Sequence, residues 1–173
     1  KAEREVNNSF STMTVTQDVM ENEFFKINID KNGNITGIYD KKEGREVLAE
    51  GGYGNMLQIF EDKPERESAW NIDLEYQKKG WIINDVKSIE VKEISPIKGV
   101  LRISKAFNNS EIIQDITIYA STPRIDFYTQ VEWQETEKLL KAAFEVDVLS
   151  PEAAYELAFG SLKRPTHWNT SWD

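Results

Sequence analysis

Acidic and aromatic side chains are the chemistry-bearing residues of this sequence. Glu61-Asp62 ends an apolar run and opens a loop that holds Trp70 and Asp73. Carboxylates there accept hydrogen bonds from hydroxyl-rich ligands, and a tryptophan face stacks on the apolar side of a pyranose ring. Asp126, Glu132, Glu145 and Asp147 add acids on outward strand faces, and paired carboxylates are what a glycosidase uses as acid and nucleophile. Solvation explains an outward acid in an acidic chain, and turn formation explains Glu61-Asp62 before Lys63-Pro64. The sugar-contact and structural readings of the loop are therefore both open.

His167 is the sole imidazole, in the run Arg164 to Asp173 that also holds Asn169, Trp168 and Trp172. A Ser-His-Asp triad needs an activated serine; Gly160-Ser161-Leu162 is not a G-x-S-x-G elbow. A histidine that orients its loop by hydrogen bonds is the simpler reading. Trp70, Trp168 and Trp172 could form a sugar platform, against core packing and loop anchoring. Without cysteine there is no disulfide, thiolate zinc site or cysteine nucleophile, and one histidine cannot build a two-histidine metal site. No metal site and no catalytic residue are expected within the chain.

With 21 basic against 30 acidic residues the net charge is −9, which disfavours phosphate backbones and so a nucleic-acid partner. No apolar run approaches the roughly 20 residues of a membrane span, and the opening KAEREVNNSF lacks a signal-peptide core. A cytoplasmic protein is expected. The start at Lys1 points to a processed chain or an excised fragment. Sequons begin at Asn7, Asn34, Asn108 and Asn169, and chance in an Asn- and Ser/Thr-containing chain accounts for them.

The elements that must position these residues have a period of two. Ile125, Phe127, Thr129, Val131 and Trp133 share one face of a strand, and Leu140, Ala142, Phe144, Val146 and Val148 repeat the pattern beyond Gln134–Glu137. The two runs predict an antiparallel hairpin with both apolar sets inward. Further strands are predicted at Phe10–Thr16, Phe24–Asp30, Ile35–Tyr39, Met56–Phe60, Ile82–Ile94, Val100–Phe107, Ile112–Tyr119 and Ala154–Phe159, with a helical turn within Pro64–Trp70. Asp30-Lys31-Asn32-Gly33-Asn34 reads as a turn. At 173 residues this is one domain, an all-β antiparallel sandwich.

A set of ordered blocks is similar to a known family. They are Glu21–Ile27, Gly33–Asp40, Gly44–Leu48, Gly54–Pro64, Ala69–Asp73, Pro123–Phe127, Val131–Trp133, Lys138–Lys141, Tyr155–Leu157 and the Arg164–Asp173 tail. In order and spacing they resemble the C-terminal β region of the α-mannosidases of glycoside hydrolase family 38. The resemblance implies a galactose mutarotase-like β-sandwich, part of a larger β region, with residues 1–20 as a lead-in or strand and 21–173 as the domain. It implies retaining α-mannosidases that hold zinc and a nucleophilic aspartate in an N-terminal domain, so zinc belongs to a catalytic domain outside this sequence. The expected role is non-catalytic: packing on that domain and shaping a cleft for mannose-containing oligosaccharide, the chain alone being inactive. Asp62, Trp70, Asp73, Arg164, His167 and Asn169 are the candidate carbohydrate or domain-interface contacts. A stand-alone carbohydrate-binding module is the alternative, an aldose epimerase a third class, and homo-oligomerisation stays open.

Overall fold

The computed structural model describes residues 13–67 and 70–167. The chain opens as a meander of β1 (Thr14–Val15), β2 (Val19–Glu21), β3 (Phe25–Ile29), β4 (Ile35–Asp40) and β5 (Arg45–Glu46), antiparallel and in sequential order. Side chains shape its turns. Asn22 Oδ1 accepts from the Phe24 and Phe25 N–H groups at 2.9 and 2.7 Å, and Asp30 Oδ1 accepts from Asn32 and Asn34 at 2.9 and 2.8 Å. Gly33 closes the second turn at φ +69, with Ile103 too near for any Cβ.

β6 (Met56–Glu61) and β7 (Gly80–Ile82) start a second sheet, with a 3-10 turn at Leu74–Lys78 between them. β8 (Asp85–Ile94), β9 (Lys98–Phe107), β10 (Ser110–Tyr119) and β11 (Ile125–Glu132) then run as an antiparallel four-stranded meander. β12 (Lys138–Ala143) returns to pair with β6, and β13 (Glu152–Leu157) and β14 (Gly160–Pro165) form a separate hairpin.

The five- and four-stranded sheets face each other. Met20, Ile27, Ile35 and Ile38 from one interleave with Leu101, Ile103, Ile116 and Ile118 from the other, all buried, so the fold is an antiparallel sandwich as the period-two pattern predicts. A smaller core joins Leu57 and Ile59 of β6 to Ile83 and Ile112. That core holds the three-stranded sheet, and the cleft described below, against the sandwich.

Three local expectations are corrected. β11 and β12 are not a hairpin: β11 pairs with β10, and β12 with β6. The link between them is pinned at the β9–β10 turn, where Glu135 accepts from Asn108 and Ser110 and the Gln134 N–H donates to Ser110 Oγ, so the chain crosses sheets instead of folding back. The Ile82–Ile94 strand is two strands in two sheets, divided where Ile83 turns into the smaller core and Val86 N bonds back to Asn84 O. Ala142, Phe144, Val146 and Val148 are exposed, not inward, because β12 is a sheet edge whose continuation runs along the Val47–Ala49 segment. A 3-10 turn that the sequence pattern does not announce forms at Leu74–Lys78. In the stretch where a helical turn is predicted, Glu67 C=O accepts from Trp70 and Asn71 N–H at 2.7 and 2.9 Å, and residues 68–69 lie outside the described residues. The predicted strand at Phe10–Thr16 falls largely outside the described residues.

Candidate functional site

Asp62 leaves the end of β6, and its N–H is tied to the Glu137 carbonyl at 2.9 Å. The chain then loops out and returns at Asp73, which precedes the 3-10 turn in extended conformation and makes no side-chain cap bond. That turn lies over β6 through an edge-to-face contact of Tyr76 on Phe60, ring centroids 5.2 Å apart. Gly80 allows the approach, since a Cβ there would meet the Phe60 ring. Between strand end and turn lies a cleft of about 210 Å³, lined by Glu61, Asp62, Lys63, Asp73, Tyr76 and Lys79 among others.

The charges around this cleft divide into paired and unpaired sets. Lys79 pairs with Glu61 at 2.8 Å, Lys63 with Glu137 at 2.8 Å and Lys78 with Glu75 at 2.5 Å. The hydrogen bond from Lys79 holds the Glu61 carboxyl below its usual range. Asp62 and Asp73 form no ion pair with another described residue, and Asp62 Oδ1 is buried without a described donor. Burial alone would raise the Tyr76 phenol; hydrogen bonds from Lys141 at 2.6 Å and Gln77 at 3.1 Å outweigh it, and its pKa lies below the ordinary value. Two uncommitted carboxylates beside a phenol that is already accepting two bonds can take hydrogen bonds from adjacent hydroxyls and return one.

The structure therefore brings Asp62 and Asp73 into one cleft. Trp70 stands on the loop joining them, 89% exposed. Arg164 lies elsewhere, on β14 opposite Ala153, and His167 is exposed just beyond that strand. Asn169, with Trp168 and Trp172, lies outside the described residues. Two of the outward acids are accounted for locally: Asp126 accepts from Tyr119 and Arg124, which hold its carboxyl low, and Glu145 accepts from the Tyr53 N–H at 2.8 Å. The sequon at Asn34 is 3% exposed and bonded to Lys105, so it cannot present a glycan acceptor.

Sequence reasoning missed Tyr76, Lys79 and Lys141. Asp73-Leu74-Glu75 is a turn-start signal that would have placed Tyr76 on a short helix. Lys141 reaches Tyr76 only through the β12–β6 pairing, which no local pattern announces. Among the described residues no group of three or more His, Cys, Asp or Glu could hold a metal ion.

The family model for the glycosyl hydrolases family 38 C-terminal domain matches residues 20–173. Alpha-mannosidase 2C1 of Homo sapiens is 33% identical over 159 residues, 89% of this chain and 15% of that protein. Alpha-mannosidase G of Dictyostelium discoideum is 34% identical over 161 residues, 90% of this chain and 15% of that protein. The alpha-mannosidase of Saccharomyces cerevisiae is 32% identical over 185 residues, 97% and 17% respectively. The chain thus spans about one-sixth of the length of these relatives. In fold it is similar to a glycosyl hydrolase family 38 protein from Enterococcus faecalis, with a TM-score of 0.69 and 17% identity over 89% of this chain and 22% of that one. With the match running from β2 to the last residue, this chain belongs to the family of glycosyl hydrolases family 38 C-terminal domains.

Proposed function

We propose that this chain is the non-catalytic C-terminal β domain of a retaining α-mannosidase that hydrolyses terminal α-D-mannosides in glycan catabolism. The observation that carries the reading is the family match over residues 20–173, joined to relatives whose names are all alpha-mannosidase. Bond cleavage and zinc are assigned to an N-terminal catalytic domain of the same enzyme. This chain packs on that domain and shapes the carbohydrate cleft. Asp62 and Asp73 accept from sugar hydroxyls, Tyr76 fixes their spacing, and Trp70 offers a stacking face. Arg164, His167 and Asn169 are assigned to the domain interface. The enzyme is assigned to the cytoplasm on its cysteine-free composition; no helix of the described residues is long and apolar enough to cross a membrane.

Steady-state kinetics of the whole encoded protein on an aryl α-D-mannoside test this. Removing a carboxylate that orients the sugar raises KM or lowers kcat/KM, and unchanged constants for both Asp62→Asn and Asp73→Asn remove the cleft from the site. The exposed face of Trp70 is the one feature favouring a stand-alone sugar-binding module. Calorimetry of the 173-residue chain against mannose and mannobiose separates the two readings: a module binds alone, whereas half a cleft does not.

A further inference from the structure

We propose that the β13–β14 hairpin is a docking arm that inserts into the remainder of the same α-mannosidase polypeptide, with Phe159 as its anchor; the inference rests on the function proposed above. The register sets Ala153 opposite Arg164, Tyr155 opposite Leu162 and Leu157 opposite Gly160, which puts these six on one face of the ribbon. Glu152, Glu156, Ser161 and Lys163 occupy the other. The ribbon is amphipathic, yet its apolar face is uncovered: Tyr155, Leu157 and Leu162 are 50%, 53% and 42% exposed. A lone two-stranded hairpin is marginal in water, so a surface elsewhere must hold it.

The turn points to where the strongest contact lies. Phe159 sits at φ +67 with its side chain fully exposed. A bulky residue in the left-handed region is strained in a way that glycine would avoid. An aromatic side chain held in that strained backbone and left fully exposed among the described residues has the geometry of an anchor that fills a pocket in a partner. Arg164, on the same face, forms no ion pair with another described residue. The complementary surface is therefore an apolar pocket with a carboxylate at its rim.

The size of the patch selects the occupant. Tyr155, Leu157, Phe159 and Leu162 together expose on the order of 500 Å², below the roughly 800 Å² per partner of a stable free complex. A second copy would be held weakly. A segment of the same polypeptide is presented at roughly millimolar effective concentration and needs no larger area. The relatives extend far beyond the 15–17% of their length that this chain matches.

Hydrogen–deuterium exchange on the whole encoded protein and on the 173-residue chain tests the arm. The Glu152–Pro165 amides are expected to exchange at least roughly ten-fold more slowly in the whole protein. Phe159→Gly should abolish that protection there, yet not speed exchange in the 173-residue chain, where it relieves the turn. Equal exchange in the two forms, or full protection in the Phe159→Gly whole protein, overturns the proposal. So does protection in the 173-residue chain that rises with its concentration, which would identify a second copy as the occupant. Mannoside hydrolysis by the wild-type whole protein is read in parallel; its absence overturns the proposed function, while the exchange result decides the docking arm on its own.

Discussion

Lys105 Nζ on β9 donates to Asn34 Oδ1 at 2.9 Å and to the Ile83 carbonyl at 3.3 Å, with both side chains buried. One ammonium thus ties the β3–β4 turn to the point where the chain crosses into β8. Its partners are neutral, and an unneutralised buried charge is costly. Burial pushes the Lys105 pKa down to about 8 despite the attraction of Asp30. The unfolded chain, with an ordinary lysine value near 10.5, binds more protons between those limits. Stability from this group should therefore rise with pH from about 8 to 10.5, by up to about 1.4 kcal/mol per unit, and be flat below 8. Urea unfolding across that range should show the rise in wild type relative to Lys105→Met; parallel pH profiles would contradict it.

Glycines 33 and 51 separate two costs of adding a methyl group. Both have φ near +70, but a Cβ at Gly33 would lie 2.7 Å from Ile103 Cγ2, whereas none at Gly51 meets anything within 4 Å. Gly51→Ala should cost about 1 kcal/mol, the backbone share alone. Gly33→Ala should cost about 2–4 kcal/mol, because Ile103 belongs to the main core and must repack. Thermal melts of the two variants rank them, and equal losses would mean that the core yields freely.

Arg102 and Asp115 form a two-pronged cross-strand bond, both contacts 2.7 Å, between β9 and β10. The Arg102 hydrogen bond holds the Asp115 carboxyl below its usual range, against burial. Its folded value is depressed, so the stability it contributes is present above about pH 4 and is lost as pH falls through the lower folded value. Asp115→Asn should cost on the order of 1 kcal/mol at neutral pH, allowing for solvent screening at the arginine. The difference from wild type should vanish in strong acid, and an acid-independent gap would contradict the pairing.

In the cleft, Tyr76→Phe removes the oxygen to which Lys141 and Gln77 donate. If the phenol only spaces the carboxylates, kcat/KM for a mannoside should fall about 3- to 10-fold, chiefly through KM, in the whole encoded protein. A loss confined to kcat would instead assign the phenol to the reacting atoms.

Much of this architecture was readable from residue order. The strands β3 and β10 follow the predicted alternation closely, because each buries one face in a core and leaves the other more open to water. Asp30 and Gly33 announced their turn by chemistry that acts over five residues. What the order did not reveal is partnership. Val131 and Leu140 carry the same local signal whether their strands pair with each other or with β10 and β6, and the choice is made by Ser110 and Glu135, more than twenty residues apart. The cleft shows the same division. Asp62 and Asp73 were visible as loop acids, but Tyr76 and Lys141 meet across 65 positions and depend on that hidden pairing.

The most direct measurement compares hydrolysis of an aryl α-D-mannoside by the whole encoded protein and by the purified 173-residue chain. The whole protein should turn over at an enzymatic rate, and the 173-residue chain should not exceed the buffer blank. Turnover by that chain alone would contradict its assignment as a domain that shapes the cleft but breaks no bond.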